Sequence, residues 1–272
     1  MTAKCIPIER HTTWQKLTDI FWDTRNYIDL PSQVVMGRAL SCLSGRTSLY
    51  RRQVILPNLD EFLNEVILGV RKESGEDKCL TRQIQKQGWK TYYQRDAEIY
   101  SFAAEDFRTF WSQRLRWARN SHNSDLVSIF KDKMWRRNPY LVFFMLDRFV
   151  SMFTILLGPI YFAVAIYHSD WTIGISILLL WIFGRGIRIS PHLLRRPKDI
   201  ILLPLYVVIN FAYAVVKIYA LVSVTEQKWI RKPGSTIMTS SKRQHVARNI
   251  KDIFLTLEII CLLVLTVLIL TR

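Results

Sequence analysis

Hydrophobic residues are concentrated in the second half of the chain. Residues 1–138 mix apolar and polar positions as soluble proteins do, whereas residues 139–272 contain four long apolar segments, at 149–167, 171–183, 200–224 and 253–270. About 20 apolar residues are needed to cross the hydrocarbon core of a bilayer as a helix. The segment at 149–167 has 19 residues without a charge. Four such helices in a soluble protein would leave too little polar surface to cover them, so the pattern predicts an integral membrane protein.

The charges between these segments predict how they are oriented. The loop at 185–199 carries five basic residues and one acid, the loop at 226–252 carries seven and two, and the link at 168–170 carries no Lys or Arg. By the positive-inside rule both basic loops are expected in the cytoplasm. The segment at 200–224 would then begin and end on the same side. We therefore predict two spans, one interfacial or re-entrant helix at 200–224, and a last span at 253–270; four spans are the alternative.

An acidic pair precedes a predicted helix in the soluble half. Gly75-Glu76-Asp77 comes directly before a polar segment that predicts a helix, and Gly88 is typical of the position just past a helix end. Acids in a first turn are stabilised by the helix dipole, which is the structural explanation for Glu76 and Asp77. The functional interpretation is a carboxylate at the rim of a site, acting as a general base within hydrogen-bond reach of a hydroxyl.

A second motif lies in the next predicted helix. Residues 91–101 alternate enough to predict one or two short strands, and residues 104 to about 122 predict a helix with aromatic and arginine side chains. This helix contains Gln113-Arg114-Leu115-Arg116-Trp117. Arginine offers a planar fork of donors suited to phosphate, and tryptophan offers a flat face suited to a sugar ring. The alternative is a belt of arginine and aromatic residues at the membrane surface.

The order of these motifs resembles that of the processive family 2 glycosyltransferases, which include hyaluronan, chitin and cellulose synthases. An acidic pair, a helix, a strand pair and QRLRW are followed directly by membrane segments. Residues 40–45 and 50–52 also resemble the strand and loop that line the acceptor pocket in that family. Residues 217–221 and 229–231 resemble the segment that ends in Trp-Gly-Thr-Arg in hyaluronan-type synthases. The resemblance extends over residues 12 to 270.

The resemblance implies a fold class and a division of the chain. We expect an α/β partial GT-A-like catalytic domain followed by an all-α membrane region. Residues 1–103 would form the acceptor side of the catalytic domain. Residues 104–138 would form an interfacial region around QxxRW, and residues 139–272 the membrane region. The catalytic part is expected in the cytoplasm, against the plasma (inner) membrane.

The resemblance also implies roles for individual residues. Asp77 would be the base that deprotonates the acceptor hydroxyl, with Glu76 beside it, and Arg116 would balance the charge on the leaving diphosphate. Trp229 and Arg231 match the loop that closes over the nucleotide. The acceptor and diphosphate would contact Gln113, Arg116, Trp117, Cys42, Ser44 and Gly45. The reaction implied is inverting transfer from a nucleotide sugar, usually a UDP-sugar, to a growing polysaccharide.

Parts of the family pattern are missing from the sequence. The family implies Mg²⁺ or Mn²⁺ on the diphosphate, yet no Asp-x-Asp occurs in this chain, so no metal ligands are assigned. The match begins about halfway through the usual catalytic domain, and Arg231 falls one place early in its motif. We therefore expect a truncated protein or one subunit of a split enzyme, whose second chain supplies the nucleotide-binding half. A non-catalytic membrane scaffold is the alternative.

Composition excludes other classes. Lys and Arg number 38 against 22 Asp and Glu, which gives a net charge of +16. The basic residues that flank the apolar segments are explained by membrane orientation, so membrane lipid, not nucleic acid, is the expected partner. The four cysteines, at positions 5, 42, 79 and 261, form no Cys-x-x-Cys pair. We therefore predict neither a zinc site nor a disulfide framework.

Overall fold

The computed structural model describes residues 1–67, 70–71, 74–226 and 242–270. Trp229 and Arg231, predicted to contact the nucleotide, lie outside these residues. Within the described residues the strands are β1 (Thr2–Pro7), β2 (Val66–Ile67), β3 (Val70–Arg71) and β4 (Tyr93–Ser101). The α-helices are α1 (Thr13–Thr24), α2 (Leu30–Gly37), α3 (Arg52–Ile55), α4 (Leu59–Leu63), α5 (Glu76–Lys86), α6 (Phe107–Leu126), α7 (Pro139–Tyr167), α8 (Trp171–Arg188), α9 (Ser190–Arg195), α10 (Leu203–Val222) and α11 (Lys242–Leu270).

The strands form two small sheets. β1 pairs with β4 in parallel, with a register shift between Ala3 and Lys4, and β2 pairs with β3 antiparallel. The segment predicted as one or two strands is therefore one strand, β4. The parallel pair brings the start of the chain beside the strand that leads into α6. The α/β half and the all-helical half that follows it confirm the predicted fold class.

Both motif helices form as predicted, with small differences at their ends. Gly75 and Gly88 flank α5 in left-handed conformations, with φ of +84° and +87°. α6 begins three residues later than predicted and extends to Leu126. Its start is fixed by Asp106, whose carboxylate accepts a hydrogen bond from the Thr109 backbone N–H at 2.8 Å. Such capping satisfies a donor that has no partner within the helix.

The segment at 40–45 forms no strand, although it resembles a strand and loop in sequence. Side chains bond its backbone where a neighbouring strand would otherwise do so. The Leu40 N–H donates to Thr91 Oγ1 at 2.7 Å, and the Leu43 N–H donates to Thr81 Oγ1 at 2.9 Å. The Ser41 N–H donates to Gln33 Oε1 at 2.7 Å. These bonds hold the segment against α2 and α5 in an irregular conformation.

Four helices among the described residues are long and apolar enough to cross a membrane, by length and composition: Pro139–Tyr167, Trp171–Arg188, Pro197–Val222 and Asn249–Ile269. The start of the first of these packs against the soluble half, where Leu141 and Met145 share one core with Ala39 and Met134. Further along, Gly158 of α7 lies against the indole of Trp181 in α8. The helix at 203–222 packs mainly against α6 and α7.

Candidate active site

A cavity of about 520 Å³ lies where α1, the segment at 40–46, the start of α5 and the middle of α6 meet. Six of the predicted site residues line it: Cys42, Ser44, Glu76, Asp77, Arg116 and Trp117. Gly45 and Gln113 are not among the lining residues, although the Gly45 N–H donates to Asp77. The cavity therefore brings together six of the eight predicted site residues that the structure describes.

Asp77 is held by backbone groups on both of its oxygens. Oδ1 accepts from the Lys78 N–H at 2.8 Å, and Oδ2 accepts from the Gly45 N–H at 3.3 Å. A carboxylate oxygen can accept more than one hydrogen bond, so these contacts leave room for a substrate hydroxyl. Burial, with the nearby charge of Asp77, raises the pKa of the Cys42 thiol to about 12. The Cys42 thiol is therefore uncharged where it lines the cavity beside the Asp77 carboxylate.

The start of α5 is packed closely against α6. An added Cβ on Gly75 would lie 2.9 Å from Cγ of Asn120. The Ser74 hydroxyl donates to Asn120 Oδ1 at 2.9 Å. Asn120 lies one helical turn after Arg116, so this contact fixes the acidic pair relative to the arginine of QRLRW. Asn120 also lines the cavity.

The tryptophan of the motif is in contact with two arginines. The guanidinium carbon of Arg46 lies 5.6 Å from the centre of the Trp117 ring, and that of Arg114 lies 5.5 Å away. Burial lowers the pKa of Arg116, while the charges of Glu76 and Asp77 act in the opposite direction. Cations, an indole face and carboxylates therefore share one enclosed space.

A buried ion-pair network forms another wall. Lys78 Nζ lies 2.9 Å from Asp125, and Arg148 of α7 lies 3.1 Å from the same carboxylate. Arg148 also donates to Ser41 Oγ at 3.2 Å. Burial, followed by the charge of Arg148, lowers the pKa of Lys78, although Asp125 opposes the shift. The network joins the soluble half to the helix that enters the first apolar segment.

The turn after α1 contributes residues that no motif indicated. Residues 25–29 form a π-helical turn between α1 and α2, and Arg25 and Asp29 at its ends both line the cavity. Such turns are frequent at functional sites. Asp29 also lies 2.9 Å from Arg188 at the end of α8. A basic residue four positions before an acid is common on any helix surface, so the sequence held no specific signal for this pair.

Possible metal ligands converge outside the cavity. Asp19, Asp23 and His192 each offer a ligand atom, and these atoms lie within 4.8 Å of one another. Three arginines form ion pairs with the two carboxylates: Arg10, Arg195 and Arg196. Because arginine charges already neutralise the carboxylates, the cluster does not fit a divalent cation. It is better explained as an ion-pair network that joins α1 to α9.

An acidic pair, an arginine and a tryptophan therefore surround one cavity, beside helices long enough to cross a membrane. Comparison with known proteins supports glycosyl transfer as the class of reaction. Residues 9–120 match the family described as glycosyltransferase like family 2. The match covers the two motif helices up to Asn120, and it confirms the family resemblance inferred from the motifs.

Several relatives match most of the chain. A type 2 glycosyltransferase of Zymoseptoria tritici is 24% identical over 84% of this chain and 50% of its own length. A hyaluronan synthase of Streptococcus pyogenes serotype M1 is 27% identical over 82% of this chain and 52% of its own length. A type 2 glycosyltransferase of Gibberella zeae is 24% identical over 79% of this chain and 43% of its own length. The chain spans about half the length of these curated relatives.

Proposed function

We propose that this chain provides the acceptor side of a membrane-bound inverting glycosyltransferase. Its substrate would be a nucleotide sugar, specifically a UDP-sugar, and its product a growing polysaccharide. The observation that carries the proposal is the convergence of Asp77, Arg116 and Trp117 on one cavity. A second chain, or a further segment of the same protein, would supply the residues that hold the nucleotide.

In the proposed reaction Asp77 accepts the proton of the acceptor hydroxyl. The acceptor oxygen forms a bond to the anomeric carbon of the donor sugar as the bond from that carbon to the diphosphate breaks. Arg116 balances the charge on the departing diphosphate, the kind of electrostatic help that contributes most in transfer reactions. Trp117 presents its ring to the acceptor sugar. The Gly45 N–H keeps the carboxylate turned toward the cavity through its bond to Oδ2.

The family pairs the diphosphate with Mg²⁺ or Mn²⁺, and such ions take oxygen ligands, typically one or two carboxylates beside the phosphates. Asp29 is ion-paired with Arg188, and Asp77 is assigned to the proton. Neither Asp29 nor Asp77 is therefore available to the cation, and a second chain or a further segment would supply its ligands.

The orientation predicted from charge is part of the proposal, with α10 lying at the membrane surface on the cytoplasmic side. Contacts at both ends of α10 support it. Arg119 of α6 donates to Ser223 at 2.9 Å and lies 2.8 Å from Glu226, just past the end of the helix. Before the start of α10, Nδ1 of His192 and Oδ2 of Asp23 in α1 share a hydrogen bond of 2.6 Å. Helices of the soluble half thus hold the chain on either side of α10.

The test of the function is Asp77→Asn in the native host, whose membranes contain any chain that completes the site. Membranes are incubated with labelled UDP-sugars and Mg²⁺ or Mn²⁺, and incorporation into polymer is measured. The substitution keeps the shape and removes the base, so transfer should fall by about 10²–10⁴. Asp60→Asn, which changes an exposed acid on α4, is the matched control and should leave transfer unchanged.

Normal transfer by the Asp77→Asn variant would return this acid to a role in helix stability alone. Deletion of the whole chain distinguishes the transferase from the alternative, a non-catalytic scaffold. If the chain is a scaffold, its deletion should lower the amount of a partner protein in the membrane. Asp77→Asn would then have no effect on transfer.

A further inference from the structure

Arg114 is a buried cation on the cavity wall with no acidic partner among the described residues. The side chain lines the cavity, and the residue is only 7% exposed. It occupies an unassigned position of the QRLRW motif, between Gln113 and the two residues expected to act on the substrate. The contrast with Arg119 on the same helix is clear, because Arg119 is buried to a similar extent and is ion-paired with Glu226.

Aromatic rings surround the guanidinium. Its carbon lies 4.0 Å from the ring centre of Phe21 and 4.9 Å from that of Phe110. Trp117 and Tyr213 contribute further rings at 5.5 and 5.7 Å. Ring faces attract a cation, and the attraction grows when water is excluded. The cage therefore offsets part of the cost of burying the charge, and it holds the planar group in one orientation.

The cage does not complete the hydrogen bonding of the guanidinium. The guanidinium has a side-chain hydrogen bond with Tyr213. Nη2, however, is buried and has no hydrogen-bond partner among the described residues. Burial lowers the pKa of Arg114, but an arginine in a protein keeps its proton. A buried charge without a counterion is expensive to maintain. An anion that enters the cavity would supply both the counterion and the hydrogen-bond acceptor for Nη2.

The charges of the residues that line the cavity also favour an anionic ligand. Three acids line it, namely Asp29, Glu76 and Asp77, and Asp29 is already paired with Arg188. The cations on the cavity wall are twice as many: Arg25, Arg46, Lys78, Arg114, Arg116 and Arg148. Lys78 and Arg148 share the carboxylate of Asp125, which leaves four cations on the wall against Glu76 and Asp77. The cavity therefore has an excess of positive charge, which favours a negatively charged ligand.

We propose that Arg114 binds an oxyanion of the substrate next to the ring of Trp117. The oxyanion is either the carboxylate of an acidic sugar or a phosphate of the donor. The planar fork of arginine suits both groups, since it can donate two parallel hydrogen bonds. This inference rests on the proposed function, because that function places a sugar against Trp117.

The test measures binding to the purified full chain in detergent, without any transfer reaction. Glucuronate, inorganic pyrophosphate and neutral glucose are titrated by calorimetry, and thermal unfolding is followed in parallel. Arg114→Met keeps the bulk of the side chain and removes the charge. It should weaken binding of at least one anion tenfold or more, leave glucose binding unchanged, and leave the unfolding temperature as high as in the wild type.

Arg119→Met is the matched control, since it removes a buried arginine that has an acidic partner. It should lower the unfolding temperature and leave anion binding unchanged. Arg116→Met separates the two sources of the oxyanion. If Arg116→Met loses pyrophosphate binding and only Arg114→Met loses glucuronate binding, the oxyanion that Arg114 binds belongs to the sugar. Weaker pyrophosphate binding in both variants would place it on the donor.

Two results would overturn the proposal. One is a wild-type chain that binds neither anion. The other is an Arg114→Met variant that binds both anions normally and loses stability as Arg119→Met does, which would make Arg114 a structural cation. Failure of the proposed function is distinguishable, because normal transfer by the Asp77→Asn variant would refute that function and leave these binding measurements intact.

Discussion

Gly75→Ala tests whether the turn before α5 depends on close contact with α6. Gly75 has a φ of +84°, a left-handed conformation that costs a residue with a side chain about 1–2 kcal/mol. An added Cβ would also lie 2.9 Å from Cγ of Asn120 and 3.1 Å from its Cβ. Overpacking of this kind costs about 1–3 kcal/mol. We therefore expect the free energy of unfolding to fall by about 2–5 kcal/mol.

Gly88→Ala is the matched control for backbone strain. Gly88 has a φ of +87° at the other end of α5, and an added Cβ there meets nothing within 4 Å. It should cost only the conformational part, about 1–2 kcal/mol. Denaturant unfolding of the detergent-solubilised chain, followed by circular dichroism, measures both. Asn120→Ala removes Cγ, and in the Gly75→Ala background it should recover part of the loss. Equal losses for the two glycine variants, with no recovery, would refute the argument from contact.

Two further predictions concern the membrane half. Cysteines are placed singly at 169, 198 and 242 in a background without the native thiols. Positions 198 and 242 should be labelled from one side of the membrane and position 169 from the other. Labelling of 198 and 242 from opposite sides would mean that α10 crosses the bilayer. Gly158→Val should lower the unfolding temperature strongly, because a Cβ there would lie 2.7 Å from Nε1 of Trp181. Gly184→Val in α8, where an added Cβ meets nothing within 4 Å, should have little effect on that temperature, and similar losses in both variants would contradict the packing argument.

Local signals in the sequence were sufficient to place the two motif helices. Glycines flank α5 as predicted, whereas the capping acid Asp106 was not used in the prediction, and α6 begins three residues later than expected. The resemblance to a family then indicated which side chains would meet, and Asp77, Arg116 and Trp117 do line one cavity. The strand expected at 40–45 is absent because side-chain acceptors from Gln33, Thr81 and Thr91 replace a strand partner. Periodicity carries no information about such distant acceptors.

The rest of the site could not be inferred because its residues come together only through tertiary contacts. Arg148 follows the soluble half by many residues and lies at the edge of an apolar segment, where a basic residue is ordinarily explained by the membrane surface. It nevertheless reaches Ser41, 107 positions earlier. Lys78 follows the acidic pair and is ordinarily an exposed helix residue, yet it is 5% exposed and bound to Asp125. Neither position is distinguished by residue type or spacing.

The packing of α10 against α6 bears on how the membrane half is arranged. Three contacts follow α10 along its length: Phe110 packs in one core with Tyr206, Arg114 lies beside Tyr213, and Arg119 bonds Ser223. A helix of 20 residues is about 30 Å long, and these contacts reach from its first turn to the residue just past its end. α6 buries charged and polar side chains along its last two turns, including His122, Asn123 and Asp125. These groups would be costly in hydrocarbon. Because α10 packs against so polar a helix, we propose that it follows the membrane surface; a crossing by α10 would bring the polar groups of α6 toward the bilayer.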